Sequence, residues 1–384
     1  MRNKRVLLLY YYYHHHQMVE RMAASMLDYG VGVDVLCMDN LRMVRNSDLK
    51  SGGLTMLLLR FFEAHNTGIV YRVVRKLFAK QLLKSLMRQY DLMDFHAFAM
   101  AYIPYMQYCV QQGKPYDITL WGSDIMRANA ESIAVKRYGF AHCRYIKATE
   151  NLQVVVNEKY PDLFGSKFKT IYWGNNDFEV IDGVRSLYDD VAAIKESFLL
   201  DAGEKTIVTL GYNGSKGQNH VKILAAIDSL PAKLKENIYL LLPLTYGATE
   251  EYLREVEGKV KSLKVPYTIY AERIPAEDIA KIRLVSDVVV NMQDTDAFSG
   301  SLQGHLYCKN VLIVGEWLNY VPLDNAGVYY IKTSYDALAE NITKVLTDLA
   351  SHKQKCENNY IKMKQLTSWE YVMLRWGESY KSQT

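Results

Sequence analysis

The sequence predicts an α/β protein with two doubly wound, Rossmann-like domains, each a parallel sheet with helices on both faces. Short apolar runs of strand length alternate with helix-length segments along most of the 384 residues, and such alternation indicates parallel strands joined by crossover helices. The alternation comes in two sets, with a polar stretch at 175–190 between them. We therefore predict a first domain over 1–178, a second over 185–345 and C-terminal helices over 346–384, with a cleft between the domains.

In the first half, the N-terminal apolar run is interpreted as a buried strand. It continues into tyrosines and histidines at 10–16 without the small-residue cleavage site of a signal peptide. Residues 59–112 interrupt the alternation, and we interpret them as a helical insertion. The predicted strands of this half are 6–12, 33–37, 117–121 and 169–173, with a helix at 17–29.

Part of the insertion is a predicted basic amphipathic helix over 69–90. No acidic residue lies between Glu63 and Asp91, and apolar residues fill the positions between the basic ones. Such a helix can lie on anionic lipid, or it can be the solvated face of a core helix. We favour the membrane interpretation because the basic charge has no compensating acid. The basic residues repeat at four-residue spacing: Arg72, Lys76, Lys80, Lys84 and Arg88.

In the second half, strand and helix signals alternate regularly. Ligands of doubly wound sheets bind at the carboxyl ends of strands, and most polar residues considered below follow such ends. The predicted strands are 206–210, 239–242, 267–270, 288–290 and 311–315, and the predicted helices are 220–229, 249–262, 276–284 and 299–307.

Two segments of this half are suited to phosphate. The glycine-rich loop at 211–217 contains Lys216, and its backbone amides can surround an anion. It matches neither G-x-x-x-x-G-K-[ST] nor G-x-G-x-x-G. Ser299, Gly300 and Ser301 begin a predicted helix, where unpaired N–H groups and the positive end of the dipole favour an anion. The alternative is an ordinary capped helix.

Other candidates follow further strands. Tyr246, after Pro243, is able to stack on a base or a sugar, or to pack within its turn. Asp124 is a candidate base or sugar ligand, or the N-cap of the following helix. Three consecutive histidines follow the first strand, and their side chains point in different directions, so they cannot all bind one metal in good geometry. We expect one of them in the cleft and take His16 as the catalytic candidate.

Composition excludes several classes. Hydrophobic residues make up 49% and charged residues 23% of the chain, as in globular proteins, and no apolar run approaches a membrane span of about 20 residues. A net charge of +4 gives no reason to expect nucleic acid. Five dispersed cysteines without a C-x-x-C pair favour a reducing cytoplasm and argue against structural zinc.

These motifs resemble GT-B glycosyltransferases. The segment from Asp296 to Gly304 fits the frame of the retaining family with an E-x7-E motif, in which the first acid lies by the donor sugar and the second binds ribose hydroxyls. Gly304 cannot take the second role, for which Gln303 and His305 are candidate substitutes. The chain is also similar to TDP-N-acetylfucosamine:lipid II N-acetylfucosaminyltransferases at 121–124, 211–215, 219–220, 242–247 and 251–256.

The resemblance implies a metal-independent hexosyl- or N-acetylfucosaminyltransferase with no cofactor. Its substrates are a nucleotide-diphosphosugar donor and a polyprenyl-linked or glycan acceptor, in the biosynthesis of a cell-surface polysaccharide such as O-antigen or capsule. The expected location is the inner face of the cell membrane. A soluble transferase that modifies protein or free glycan, and a catalytically silent module, remain alternatives.

The resemblance also assigns residues to roles. Asp124, His16 and Asp296 are the catalytic candidates. An arginine that accompanies the phosphate-binding lysine in the E-x7-E family is missing, and His220 or Arg273 is the expected replacement. The predicted donor-binding residues are Tyr212, Asn213, Lys216, His220, Thr245, Tyr246, Arg273, Phe298, Ser299, Gly300, Ser301 and Gln303.

The basic helix gives a first testable prediction. Each basic group near an anionic surface contributes about 1 kcal/mol, and salt screens it. A variant with four of these residues changed should therefore no longer bind anionic vesicles, as measured by sedimentation with vesicles of mixed neutral and anionic lipid. Its activity on a soluble acceptor should persist. Binding indifferent to lipid charge and salt would make this helix a solvated surface. The substituted residues, each changed to Gln, are Arg72, Lys76, Lys80 and Lys84.

Overall fold

The computed structural model describes residues 4–11, 16–47, 81–163, 167–198 and 202–382. The chain forms two compact units. The first comprises Met1–Gly174 with Trp369–Thr384, and the second comprises Asn175–Ser368. The predicted group of C-terminal helices over 346–384 is therefore divided, because its last helix belongs to the first unit.

The first unit is built on a seven-stranded sheet in the order β3-β2-β1-β4-β5-β6-β7. All neighbours pair in parallel except β2 and β3, which are antiparallel. Five consecutive residues of β1 are buried, as expected for a strand covered on both faces. The strands are β1 Lys4–Tyr10, β2 Val31–Cys37, β3 Met43–Val44, β4 Leu92–His96, β5 Tyr116–Thr119, β6 Ile146–Ala148 and β7 Phe168–Thr170.

Helices connect these strands. Residues 81–87 are helical, and they fall within the predicted basic helix over 69–90. Its residues Arg72, Lys76 and Lys80 lie outside the described residues. Within the described part of the chain, no helix is long and apolar enough to cross a membrane. The helices with both ends described are His16–Ser25, Ile103–Gln111, Ser123–Met126, Ala130–His142, Glu150–Lys159 and Trp369–Lys381.

Strand β4 corrects the predicted insertion. Residues 92–96 lie inside the range interpreted as helical, yet they pair with both β1 and β5. The strand was missed because Asp94 and His96 interrupt its apolar pattern. Both side chains are fully buried, and the Lys147 ammonium lies 2.7 Å from a carboxylate oxygen of Asp94. Long-range pairing, which the local pattern does not encode, stabilises the strand.

The second unit has a six-stranded sheet in the order β10-β9-β8-β11-β12-β13, and all its neighbours pair in parallel. The five strands predicted for this half are confirmed. They are β8 Thr206–Leu210, β9 Ile238–Pro243, β10 Tyr267–Tyr270, β11 Val288–Asn291 and β12 Val311–Gly315, and β13 Ile331–Thr333 follows them.

Alternate residues of β8 enter two separate cores. Val208 packs in a large core with the helices His220–Asp228 and Glu250–Ser262, whereas Ile207 packs in a smaller one with Ala276–Val285. Since side chains alternate between the faces of a strand, helices cover both faces of this sheet. The other helices of the unit are Asp177–Arg185, Val191–Ser197, Ala232–Glu236, Gly300–Tyr307, Val321–Asn325, Leu338–Thr347, Leu349–Cys356 and Asn359–Thr367.

The start of the last helix packs tightly on a glycine of the first unit. A Cβ at Gly174 would lie 2.1 Å from the Trp369 ring, which is 6% exposed. We predict that Gly174→Ala destabilises the protein by about 1–3 kcal/mol, the usual effect of overpacking. The helical Gly183 has open space, so Gly183→Ala should be neutral or stabilising by up to ~1 kcal/mol. Denaturant unfolding of both variants measures this, and equal stabilities would contradict it.

Candidate functional site

A cavity of about 250 Å³ lies in the second unit, where β8 and β9 end. Tyr212 follows β8 and Pro243 ends β9, so the cavity lies at the carboxyl edge of the sheet, where ligands of doubly wound sheets bind. Three helices complete it. The lining residues are Asp177, Tyr212, Pro243, Thr245, Tyr246, Ala276, Ile279, Ile282, Arg283, Ser301 and His305.

The helix Ala276–Val285 supplies several apolar lining residues. Ala276, Ile279 and Arg283 are separated by three and four residues, a spacing that places them on the same face. Tyr246 adds an aromatic ring with 51% of its surface exposed, and its hydroxyl accepts a hydrogen bond from the Asn213 amide at 3.4 Å. The cavity therefore combines apolar side chains of one helix with an accessible aromatic side chain.

The charged part of the lining is an ion pair. A terminal nitrogen of Arg283 lies 2.7 Å from a carboxylate oxygen of Asp177, and the Arg283 side chain is 6% exposed. Its position depends on Gly304, where a Cβ would lie 2.8 Å from both Cδ and Nε of Arg283. The residue that departs from the E-x7-E frame thus leaves room for this arginine.

Sequence reasoning missed Arg283 and selected Arg273 instead. Arg273 is exposed in the loop before the helix Ala276–Val285 and does not line the cavity. The sequence contains a signal for Arg283. At helical spacing it shares a face with Ala276 and Ile279, so it is a basic residue on an otherwise apolar helix face.

His305 is the second basic group of the lining, and it is uncharged near neutral pH. Burial and the neighbouring Arg283 charge hold the pKa of His305 well below its usual value. Its Nδ1 accepts a hydrogen bond from the Asn310 amide at 2.9 Å, a contact available only to the neutral ring in this orientation. The cavity therefore carries one positive and one negative charge.

The glycine-rich loop follows β8, and the chain turns at its first glycine. Gly211 has a φ of 61°, and a Cβ there would lie 2.8 Å from both Gln218 and His220. Lys216 is exposed at the start of a 3₁₀ turn, Lys216–Gln218. Its ammonium makes no ion pair within the described chain, so it is accessible to an anionic ligand.

His220 does not supply the positive charge of the arginine that is missing beside the phosphate-binding lysine. It is fully buried behind the loop, and burial lowers the pKa of its side chain to about 4. Its backbone N–H donates to the Tyr252 hydroxyl at 3.2 Å. His220 is therefore neutral at pH 7 and supports the loop from behind.

The loop before the helix Gly300–Tyr307 is organised by Asp296. This carboxylate accepts the Ser299 N–H at 3.1 Å and the Tyr320 hydroxyl at 2.7 Å, and burial raises its pKa. Gln303 is also engaged within the protein, since its amide donates to the Phe298 carbonyl at 2.9 Å. These contacts fix the helix start and leave the Ser301 side chain lining the cavity.

The structure thus brings together part of the predicted donor site. Tyr212, Thr245, Tyr246 and Ser301 line one cavity. The other predicted donor residues do not line it. These are Asn213, Lys216, His220, Arg273, Phe298, Ser299, Gly300 and Gln303.

In the first unit, Asp124 is buried and bound to the main chain. Its carboxylate accepts N–H groups of Phe98 and Gly122, each at 2.8 Å, and burial raises its pKa. These contacts account for the residue structurally, and its catalytic role stays a prediction. The side chain of His16 lies outside the described residues. Elsewhere in the described ranges, no group of three or more His, Cys, Asp or Glu side chains is arranged to hold a metal ion.

No protein-family model matches the chain, and no curated protein matches it in sequence. Solved structures match it over its full length. A glycosyltransferase from Rickettsia africae gives a TM-score of 0.73 at 12% identity, with 100% of both chains covered. HepE from Anabaena, in complex with UDP and glucose, gives 0.69 at 13% identity over 99% of this chain and 100% of that one. Sucrose-phosphate synthase from Thermosynechococcus elongatus gives 0.64 at 14% identity over 98% of both.

Two doubly wound sheets, parallel except for the pairing of β2 with β3, and these likenesses define the GT-B fold, as the sequence predicted. At such low identities the comparisons establish the fold alone. Membership of the E-x7-E family or the N-acetylfucosaminyltransferase family stays a prediction.

The buried His220 leads to a prediction about pH. Its pKa is about 4 in the folded protein and about 6.5 when unfolded, so between these values the unfolded chain binds more protons. Stability is therefore lost as the pH falls below about 6.5. His220→Gln should reduce the difference in unfolding free energy between pH 7 and pH 5 by about 2 kcal/mol, measured by urea denaturation at both pH values. An unchanged difference would contradict the burial of a neutral His220.

Proposed function

We propose that this protein is a glycosyltransferase that moves a sugar from a nucleotide-diphosphosugar to an acceptor hydroxyl. The observation that carries the proposal is the cavity at the carboxyl ends of β8 and β9, in the second unit of a GT-B fold. It offers an apolar helix face and an accessible Tyr246 to a flat base, and polar side chains to the remainder of a nucleotide.

The structural neighbours support the same class of donor. HepE from Anabaena has structures in complex with UDP and with UDP-glucose. We accordingly propose that the cavity binds a nucleoside diphosphate and that the attached sugar is the group transferred.

The leaving group is the nucleoside diphosphate. When the bond from the anomeric carbon to the diphosphate oxygen breaks, negative charge develops on the phosphate, and catalysis requires groups that stabilise it. The accessible Lys216 ammonium and the N–H groups that begin the helix Gly300–Tyr307 are proposed for this role. Such a site makes the metal-independent reaction expected from the resemblance chemically feasible.

The new bond joins the anomeric carbon to the acceptor oxygen, whose proton passes to a base. Asp124 and His16 remain the proposed candidates for that base, and the first unit is proposed to bind the acceptor. Asp296, whose two described partners hold it in place, is proposed to lie near the donor sugar.

We further propose a polyprenyl-linked or glycan acceptor, cell-surface polysaccharide biosynthesis and a peripheral location on the inner membrane face. The support is the basic sequence around 69–90. Of its described members, Lys84 lies with its ammonium 4.8 Å from the centre of the Tyr108 ring, and Arg88 donates to the Tyr108 hydroxyl at 2.6 Å.

A second candidate function is a catalytically silent GT-B module that binds a glycan or a partner enzyme. Its support is Gly304, against which Arg283 packs in place of the second motif acid. Donor hydrolysis or transfer by the purified protein favours the enzyme, and binding of a nucleotide-sugar without turnover under all acceptor conditions favours the silent module.

The proposal predicts that Lys216→Ala weakens donor binding by roughly 1–3 kcal/mol, the range for a charge-assisted hydrogen bond. A thermal-shift screen of UDP, TDP, GDP and their sugars first identifies the nucleotide that stabilises the protein, and calorimetry then compares the variants. Lys233→Ala is the matched control, because Lys233 is also exposed but lies before β9, at the opposite edge of the sheet. Equal affinities of the two variants would remove Lys216 from the donor site.

A further inference from the structure

The carboxylate of Asp177 is held in the cavity with one oxygen engaged. Asp177 begins the helix Asp177–Arg185, and its own N–H donates to the Asn175 side chain at 2.9 Å. One carboxylate oxygen pairs with Arg283. The other makes no hydrogen bond or ion pair with the described residues, and the side chain is 35% exposed. An acceptor on the cavity surface is therefore available to a ligand.

Arg283 holds that acceptor in one orientation. The guanidinium is confined between Asp177 and the backbone of Gly304, and within the described residues its Nε has no hydrogen-bond partner. Its position is therefore determined by packing against Gly304 and by the single ion pair. Arg283 is a positioning residue in this arrangement, since it acts through Asp177.

The charge pattern selects the chemistry of the ligand group. An ionised carboxylate accepts hydrogen bonds and repels phosphate, so the group it contacts is a hydrogen-bond donor. The Arg283 guanidinium beside it repels a second cation, which favours an uncharged donor. Hydroxyl groups meet this requirement, and a vicinal diol is able to donate to one carboxylate from both positions. Carboxylates bind ribose hydroxyls in this way in other doubly wound nucleotide-binding proteins.

The remainder of the cavity fits the base that is joined to such a ribose. Ala276 and Ile279 lie on the same helix face as Arg283, so an apolar surface adjoins the ion pair. Tyr246 supplies an accessible ring to the same cavity. The apolar surface and the carboxylate thus line the same cavity.

From this juxtaposition we infer that Asp177 makes the site selective for ribonucleotides: its carboxylate accepts hydrogen bonds from the ribose diol of the donor, and Arg283 positions it. The inference rests on the proposed function. Asp177 takes the role of the second motif acid, for which the sequence suggested Gln303 and His305. Those two side chains are engaged elsewhere, Gln303 with the Phe298 carbonyl and His305 with Asn310.

The test compares UDP with 2′-deoxy-UDP by calorimetry, and GDP with 2′-deoxy-GDP as a second pair. The wild-type protein should bind the ribonucleotide of the preferred pair about tenfold or more tightly, because the 2′-deoxynucleotide lacks one of the hydroxyls that donate to the Asp177 carboxylate. Asp177→Asn should reduce that ratio toward one, with little effect on the 2′-deoxynucleotide.

Asp182→Asn is the matched control. Asp182 lies on the same helix and also pairs with an arginine, Arg185, at 2.9 Å, but it does not line the cavity. The Asp182→Asn protein should show the same ratio of ribonucleotide to 2′-deoxynucleotide affinity as the wild type. Gly304→Ala provides a second variant, because the added Cβ displaces Arg283 and should lower the ratio without removing the carboxylate.

The outcomes separate this inference from the proposed function. Equal wild-type affinity for ribo- and deoxyribonucleotides overturns the ribose contact while nucleotide binding stands, and this result does not depend on the folding of any variant. A ratio preserved in a folded Asp177→Asn protein also overturns it. If only the affinity for UDP-glucose falls in that variant, the hydroxyls belong to the transferred sugar and the inference is wrong. Binding of no nucleotide refutes both proposals.

Discussion

Coverage of both sheet faces is the constraint on which the other features of this protein depend. In the second unit, alternate residues of β8 and β9 pack into two different cores, so the strands have no solvent-facing side on which polar groups can remain accessible. Such groups are therefore found where strands end and the chain turns. Tyr212, Thr245 and Tyr246 all follow strand ends, and they meet at one cavity.

The first unit shows what happens when charges enter such a sheet. Asp94, Asp117 and Lys147 are fully buried on neighbouring strands, and the ammonium of Lys147 lies within 2.9 Å of both carboxylates. Burial alone would raise the pKa of Asp94, but Lys147 and His96 hold it below its usual value. Arg144 completes the cluster by a two-point contact with Asp117. Because unpaired buried charges are strongly destabilising, these residues stabilise the unit only together.

Around the cavity, the pairing of a buried charge also explains why position 304 is glycine and not the second acid of the E-x7-E frame. A side chain at this position and Arg283 exclude each other sterically. The protein has the arginine, and the arginine is neutralised by Asp177 from another helix. Burial and the neighbouring arginine charge together lower the pKa of His305 and hold it neutral. One glycine thus accounts for the position of the cation and contributes to the charge state of the neighbouring histidine.

The sequence by itself determined the fold class and most of the strands, because apolar periodicity and turn residues act locally. It also located the loops after β8, β9 and β11, since glycine and polar residues at strand ends are local signals. The sequence did not predict strand β4, because Asp94 and His96 are compatible with a buried strand only through partners distant in the chain. Only the tertiary structure showed that His220 is buried and neutral, and that Arg283, not Arg273, lines the cavity. Burial and ion pairing depend on contacts between distant segments, and these contacts decide which of several suitable residues belong to the site.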